Sequence, residues 1–308
     1  MRKTTMRRTL AATVAMIGIG VLVLAGCSGG NEGGGTASGT PTVVTSTNVW
    51  AAVASAVAGE DASVTALYTN AEGDPHEFEP SASDTAEVAD ADVVVLNGGH
   101  YDAYMESAAK GSDATIIDAF AIMTGDDHAT ANEHVFYDLA VVGKVATQIG
   151  DALAEKDPTN AETFKANAAA FNTEIDGLRA QVASIKQAHD GTKVAQTEPL
   201  AGYLLSDAGL VDVAPTGFTG AVEEGQSPSA SDRAQMEDLL TSGTVHALIY
   251  NTQAVDSTTE ALLATANDSG VAVVDFTETL PEGTNDYIEW QRAQIEALSA
   301  ALNNNGAH

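Results

Sequence analysis

The chain has 308 residues and carries 43 Asp and Glu against 13 Lys and Arg, a formal net charge of −30. So few cations argue against nucleic-acid binding and against electrostatic docking on anionic lipid, because both need a basic surface. Hydrophobic residues make up 44% of the chain and recur periodically, which argues against global disorder. The length fits one large domain or two ordinary ones.

Residues 1–26 predict a lipoprotein signal peptide. Four of the first eight residues are cationic, and an apolar run follows that is short for a membrane-spanning helix. It ends in Leu24-Ala25-Gly26-Cys27, which resembles a bacterial lipobox. We therefore expect a lipid on Cys27, the only cysteine, and no intramolecular disulfide. Residues 27–41 would form a Gly/Ser-rich tether on the extracytoplasmic face of a bacterial membrane.

Short apolar runs alternate with helical patterns after this tether. The predicted order is strand 42–47, helix 49–58, strand 63–68, helix 81–90, strand 92–97, strand 115–118 and a helical stretch over 135–156. Short strands separated by helices indicate a mostly parallel sheet with helices on both faces. We therefore expect an N-terminal α/β lobe over residues 42–157.

Residues 158–189 predict one long amphipathic helix that links two lobes. Seven apolar residues recur there at three- and four-residue spacing: Phe164, Ala168, Phe171, Ile175, Leu178, Val182 and Ile185. The segment is longer than the average globular helix, which favours a bridging role.

The alternation resumes after Gly191. The predicted order is strand 192–197, helix 200–208, helix 229–241, strand 245–250, helix 257–267, strand 271–276 and helix 284–302. This pattern predicts a C-terminal α/β lobe over 190–308. The fold class is therefore α/β, with two similar lobes joined by a long helix. No glycine-rich phosphate-binding motif follows any predicted strand, so a nucleotide site is not expected.

Four residues of metal-ligand type lie where a predicted strand ends or a helix begins. They are His76, His134, Glu198 and Asp275. Open α/β sheets bind ligands at the carboxyl ends of their strands. Two of the four precede the long helix and two follow it, so the sequence predicts a site in the cleft between the lobes.

The segments around these residues resemble the cluster A-I solute-binding lipoproteins of zinc and manganese ABC importers. D-P-H-E-F-E-P-S-A-S-D at 74–84 and E-H-V-F-Y-D at 133–138 are similar to that family's two histidine motifs. T-E-P-L-A-G-Y-L at 197–204 occupies the place of the third ligand, and Asp275 matches the fourth. The resemblance covers about residues 42–305.

This resemblance implies a C-clamp of two lobes joined by a rigid helix, which binds one divalent metal ion through His76, His134, Glu198 and Asp275. It implies a monomeric receptor, not an enzyme, that delivers the metal to a cognate permease and its ATPase. Mixed nitrogen and oxygen ligation suits Zn²⁺, Mn²⁺ or Fe²⁺ and disfavours Cu⁺. Four protein ligands without an open position suit capture rather than catalysis.

The identity of the metal stays open at this level. Zinc receptors of the family often carry a long His-rich loop, whereas Thr124–Glu133 is short, acidic and contains only His128. Glu198 stands where many zinc receptors have histidine, and oxygen-richer ligation suits Mn²⁺. Yet Zn²⁺ binds a given nitrogen and oxygen site more tightly than Mn²⁺.

Two alternatives to a metal receptor remain. An extracytoplasmic metal-dependent hydrolase would need an open coordination position and a general base, for which Glu77, Glu79 and Glu133 are candidates. A surface adhesin, or a receptor for a larger ligand such as haem or a siderophore, is the other. The 5% aromatic content supplies few residues to line a large apolar pocket.

Overall fold

A computed structural model describes residues 39–125 and 132–304. The predicted signal peptide, the predicted lipidation site Cys27, most of the predicted tether, and His128 lie outside these residues. Among the helices described, none combines the length and apolar character needed to cross a membrane.

The N-terminal lobe contains one parallel sheet. Its strands are β1 (Thr42–Thr47), β2 (Ser63–Tyr68), β3 (Val93–Leu96) and β4 (Thr115–Asp118). Its helices are α1 (Asn48–Ala58), α2 (Ala82–Asp90), α3 (Ala103–Ala109), α4 (Ala119–Thr124) and α5 (Leu139–Lys156). The strand order is β2-β1-β3-β4. Every residue of β3 is buried, as expected for a strand covered on both faces. The predicted parallel sheet is confirmed.

Helix α6 (Ala161–His189) is the predicted linking helix. Its buried residues are the seven apolar residues selected by spacing, Phe164 to Ile185, and no others. The apolar stripe therefore faces protein along the whole helix, where it packs on α1 and α5.

The C-terminal lobe repeats the arrangement of the first. Its strands are β5 (Lys193–Gln196), β6 (Val211–Asp212), β7 (Ala247–Asn251) and β8 (Ala272–Phe276). Its helices are α7 (Gly202–Asp207), α8 (Thr216–Glu223), α9 (Ala230–Thr241), α10 (Ser257–Asp268) and α11 (Tyr287–Asn304). The parallel order β6-β5-β7-β8 matches that of the first sheet when each lobe is numbered separately. Two similar α/β lobes are thus confirmed.

The largest hydrophobic cluster runs through both lobes and α6. Hydrogen bonds reinforce this contact. The Tyr287 hydroxyl donates to the Phe136 carbonyl at 2.7 Å, and the Tyr137 hydroxyl donates to Gln294 Oε1 at 2.7 Å. These contacts hold loops from the two sheets close enough for their polar side chains to meet.

Candidate metal centre

His76 lies in the connection that follows β2. Asp74 begins a short 3₁₀ turn, Pro75–Glu77, and its side chain accepts a hydrogen bond from the His76 backbone N–H at 2.8 Å. The Tyr101 ring packs edge-on against the imidazole, with ring centroids 4.6 Å apart. The His76 side chain is 20% exposed. The turn therefore presents this imidazole at the edge of a buried space.

His134 is fully buried and precedes the 3₁₀ turn Val135–Tyr137. Asn132 Oδ1 accepts from the His134 backbone N–H at 2.9 Å and lies 2.8 Å from His134 Nδ1. The Asn132 amide nitrogen donates to the Pro199 carbonyl, which fixes Oδ1 toward the imidazole. The proton of a neutral ring is thus held on Nδ1, leaving the Nε2 lone pair free for a metal.

The carboxylate that meets both histidines belongs to Glu278, a residue that the sequence analysis missed. Glu278 Oε2 lies 3.4 Å from His76 Nε2 and 3.3 Å from His134 Nε2. Ligand atoms of these three residues all lie within 4.8 Å of one another. The Glu278 side chain is fully buried. Its backbone N–H donates to Gln253 Oε1 at 2.6 Å, which anchors the chain just after β8.

Asp275, which the sequence predicts as the fourth ligand, does not join this cluster. It lies within β8, where Val274 and Phe276 are buried and Asp275 between them is exposed. Side chains alternate between the faces of a strand, so burial of its two neighbours turns Asp275 away. The chain reaches the site only after the strand ends. Glu278 occupies the position that sheet geometry favours, beyond the carboxyl end.

Glu198 follows β5 and is fully buried beside the cluster. Asn251, at the end of β7, connects it to Glu278: the Asn251 amide nitrogen donates to Glu198 Oε2 and, at 2.8 Å, to Glu278 Oε1. His76 and His134 are therefore brought together as predicted, Glu198 lies next to them, and Asn251 links the two carboxylates.

Three buried ligand atoms in this region lack a hydrogen-bond partner among the described residues. They are His76 Nε2, His134 Nε2 and Glu198 Oε1. Buried polar atoms are normally hydrogen-bonded, and unpaired ones cost free energy. Two imidazole nitrogens and two carboxylates, with no sulfur, match the donor preference of Zn²⁺ and related divalent ions. The residues present therefore fit a transition-metal ion.

Charges within the site shift its pKa values strongly. Burial alone lowers the pKa of His76, but contact with Glu278 and the charges of Asp74 and Glu198 outweigh it and raise it to about 9. Burial alone raises the pKa of Glu278, yet the two imidazoles hold it well below its usual range. Burial and the charge of Glu278 raise the pKa of Glu198 well above its usual value. The imidazole of His76 therefore carries a proton at neutral pH in the metal-free site, and a bound cation would displace it.

A cavity of about 860 Å³ opens over His76. Five acidic residues line this cavity: Asp74, Glu77, Glu133, Glu223 and Glu224. In the described part of the chain, no aromatic side chain and no Lys or Arg lines it. The apolar, aromatic wall that haem or a similar ligand requires is therefore missing from these residues.

The proposed hydrolytic bases are placed differently from one another. Glu77 and Glu133 line the cavity, whereas Glu79 is exposed and does not. Glu133 Oε1 accepts a hydrogen bond from the His100 backbone N–H at 3.0 Å, so this carboxylate has a structural role in holding the His100 loop.

Fold and site together define a two-lobed binding protein with a nitrogen and oxygen ligand set for a transition metal. Residues 43–301 match the family described as zinc-uptake complex component A, periplasmic. The chain belongs to this family. Its description is that of an uptake component, in agreement with the expected receptor and not with an enzyme.

Two curated relatives illustrate the similarity. The manganese-binding lipoprotein MntA of Halalkalibacterium halodurans is 32% identical over 164 residues, 51% of this chain and 53% of the relative. The zinc-binding lipoprotein AdcA of Streptococcus pneumoniae serotype 4 is 26% identical over 274 residues, 81% of this chain and 53% of the relative. The chain thus spans about half the length of these two proteins.

Solved structures support the fold. A mutant of the laminin-binding adhesin Lmb from Streptococcus agalactiae superimposes with a TM-score of 0.71 and 23% identity, covering 84% of this chain and 98% of that one. At this identity the likeness concerns the two-lobed architecture alone.

Proposed function

We propose that this chain captures one divalent transition-metal ion outside the cytoplasm and delivers it to an ABC permease and its ATPase. The ligands would be His76, His134, Glu198 and Glu278. The observation that carries the proposal is the meeting of two imidazoles and Glu278, with ligand atoms within 4.8 Å of one another. Membership in a zinc-uptake family supports it.

The ion would be Mn²⁺ or Zn²⁺, with Fe²⁺ as a further candidate. The names of MntA and AdcA, a manganese-binding and a zinc-binding lipoprotein, support this range. Four nitrogen and oxygen ligands agree with it, because the set contains no sulfur for softer ions.

The protein would act as a monomer anchored by a lipid on Cys27, on the extracytoplasmic face of the bacterial membrane. The lipobox-like Leu24–Cys27 and the lipoprotein names of both relatives support this anchor. Our proposed organisation is a signal peptide over 1–26, a tether over 27–41, lobes over 42–157 and 190–308, and the linking helix over 158–189.

Calorimetric titration of metal-stripped protein with Zn²⁺ and Mn²⁺ tests the proposal. We expect one site per chain and severe loss of binding in His134→Ala, which removes a buried ligand. His100→Ala is the matched control, because His100 lines the cavity and is exposed. Absence of stoichiometric binding, or equal losses in both variants, would overturn the proposal. Turnover of ester substrates by the zinc-loaded protein would instead support the hydrolase alternative.

A further inference from the structure

We propose that Asn251 is a positioning residue that limits each carboxylate of the site to one metal-binding oxygen and thereby favours four-coordinate Zn²⁺ over Mn²⁺. This inference rests on the proposed function and concerns the selectivity of the same site. It addresses the choice between metals that the sequence left open.

The orientation of the Asn251 amide is fixed by its neighbours. Its backbone N–H donates to Thr197 Oγ1 at 3.0 Å, which ties the end of β7 to the residue before Glu198. Its side-chain Oδ1 accepts from the Gln253 backbone N–H at 2.9 Å. The amide nitrogen must therefore face the opposite way, toward the carboxylates. Both of its hydrogens are used there, since it donates to Glu198 and Glu278.

Each carboxylate consequently has one oxygen engaged by Asn251 and one oxygen left for a metal. For Glu278 the remaining atom is Oε2, which faces both imidazole Nε2 atoms and also accepts from the Tyr101 hydroxyl at 3.0 Å. For Glu198 the remaining atom is Oε1, which is buried without a hydrogen-bond partner among the described residues. Together with the two Nε2 atoms, these two oxygens would supply four donor atoms to a bound ion.

Four nitrogen and oxygen donors suit tetrahedral Zn²⁺, whereas Mn²⁺ favours octahedral, oxygen-rich coordination. A carboxylate that binds through both oxygens would raise the coordination number. Here bidentate binding would require breaking a buried hydrogen bond to Asn251, leaving its amide donor unsatisfied. Asn251 thus penalises the higher coordination numbers that Mn²⁺ prefers.

Replacement of Asn251 tests this role with Co²⁺ as a spectroscopic probe of coordination number. We expect the wild-type protein to give the intense visible bands of four-coordinate Co²⁺, and Asn251→Ala to give the weak bands of higher coordination. Loss of a residue that orients metal ligands typically costs about 10- to 100-fold in affinity. Competitive calorimetry should therefore show about a tenfold or greater fall in the Zn²⁺ to Mn²⁺ affinity ratio.

Two further variants keep the test decisive. Asn251→Asp retains the shape and the acceptor for the Gln253 N–H but, once ionised, donates to neither carboxylate, so its Co²⁺ bands should also weaken. It decides the outcome if circular dichroism finds metal-free Asn251→Ala unfolded. Thr252→Ala is the matched control, because Thr252 is the exposed neighbour whose hydroxyl donates to the Phe276 carbonyl.

Unchanged Co²⁺ bands and an unchanged affinity ratio in the folded variants would overturn the role of Asn251. That result would leave the proposed function intact, provided that the wild-type protein binds Zn²⁺ stoichiometrically. Failure of the wild-type protein to bind any of the three metals would overturn the proposed function itself.

Discussion

Separate replacement of Glu278 and Asp275 by their amides gives the sharpest test of the site. Glu278→Gln keeps the side-chain size but replaces the charged oxygen that faces His76 and His134. Residues that merely orient ligands cost about 10- to 100-fold in metal affinity when lost, so a direct ligand should cost at least about 100-fold. That factor corresponds to about 2.8 kcal/mol of binding free energy. Asp275→Asn, on an exposed side chain, should change the affinity less than about threefold.

Zinc calorimetry measures this difference directly, and thermal unfolding measures it independently. A ligand that binds only the folded state stabilises it according to its concentration relative to Kd. A loss of about 2.8 kcal/mol should therefore lower the Tm of the zinc-loaded Glu278→Gln variant by about 6–11 °C, at about 2–4 °C per kcal/mol. Equal losses in both variants, or a larger loss in Asp275→Asn, would refute the assignment of Glu278.

Three further outcomes are expected. Because the pKa of His76 is raised from 6.5 to about 9, zinc binding at neutral pH should release a proton from its imidazole. The apparent affinity for zinc should therefore increase as the pH rises toward 9. Over the same range the metal-free protein should lose the stabilisation that the protonated His76 gains from Glu278. Calorimetry in buffers of different ionisation enthalpy measures this release, and identical heats would contradict it. Asn132→Ala should weaken zinc binding about 10- to 100-fold, since it frees the His134 ring; Tyr203→Phe, which removes only the hydrogen bond to the Asn132 carbonyl, should have a smaller effect on the same titration. Phe164→Ala on α6 should lower the free energy of unfolding by about 3–5 kcal/mol in urea, because the ring is fully buried. The exposed neighbour Lys165 should tolerate alanine within about 0.5 kcal/mol.

Local periodicity accounts for the part of the fold that the sequence predicted well. Burial along α6 follows the spacing of its apolar residues because one face of a long helix packs against protein. The elements that were not predicted are short. Helices α3 and α4 have seven and six residues, strand β6 has two, and α8 contains two glycines in eight residues, so none carries a readable period.

The proposed ligands divide in the same way. His76 and His134 stand in local motifs and were predicted. Glu278 was not predicted, because the acidic residue at the end of β8 drew the prediction to Asp275. Asn251 and Glu278 lie 27 residues apart in the sequence. The contacts of the Asn251 amide with Glu278 and Glu198 depend on the pairing of β5, β7 and β8. Long-range pairing of this kind has no signature in local sequence.

The hydrophobic core that is shared by the two lobes opposes their separation. Tyr137 of the first lobe packs on Phe276 and Trp290 of the second, with ring centroids 5.6 and 5.5 Å apart. Pulling the sheets apart would expose such rings to water at about 1.5–3 kcal/mol for each large side chain. Moving the three-residue turn that carries His76, the partly exposed ligand, disturbs far less apolar surface. We therefore expect an ion bound at the proposed site to enter and leave by movement of this turn, without separation of the two lobes.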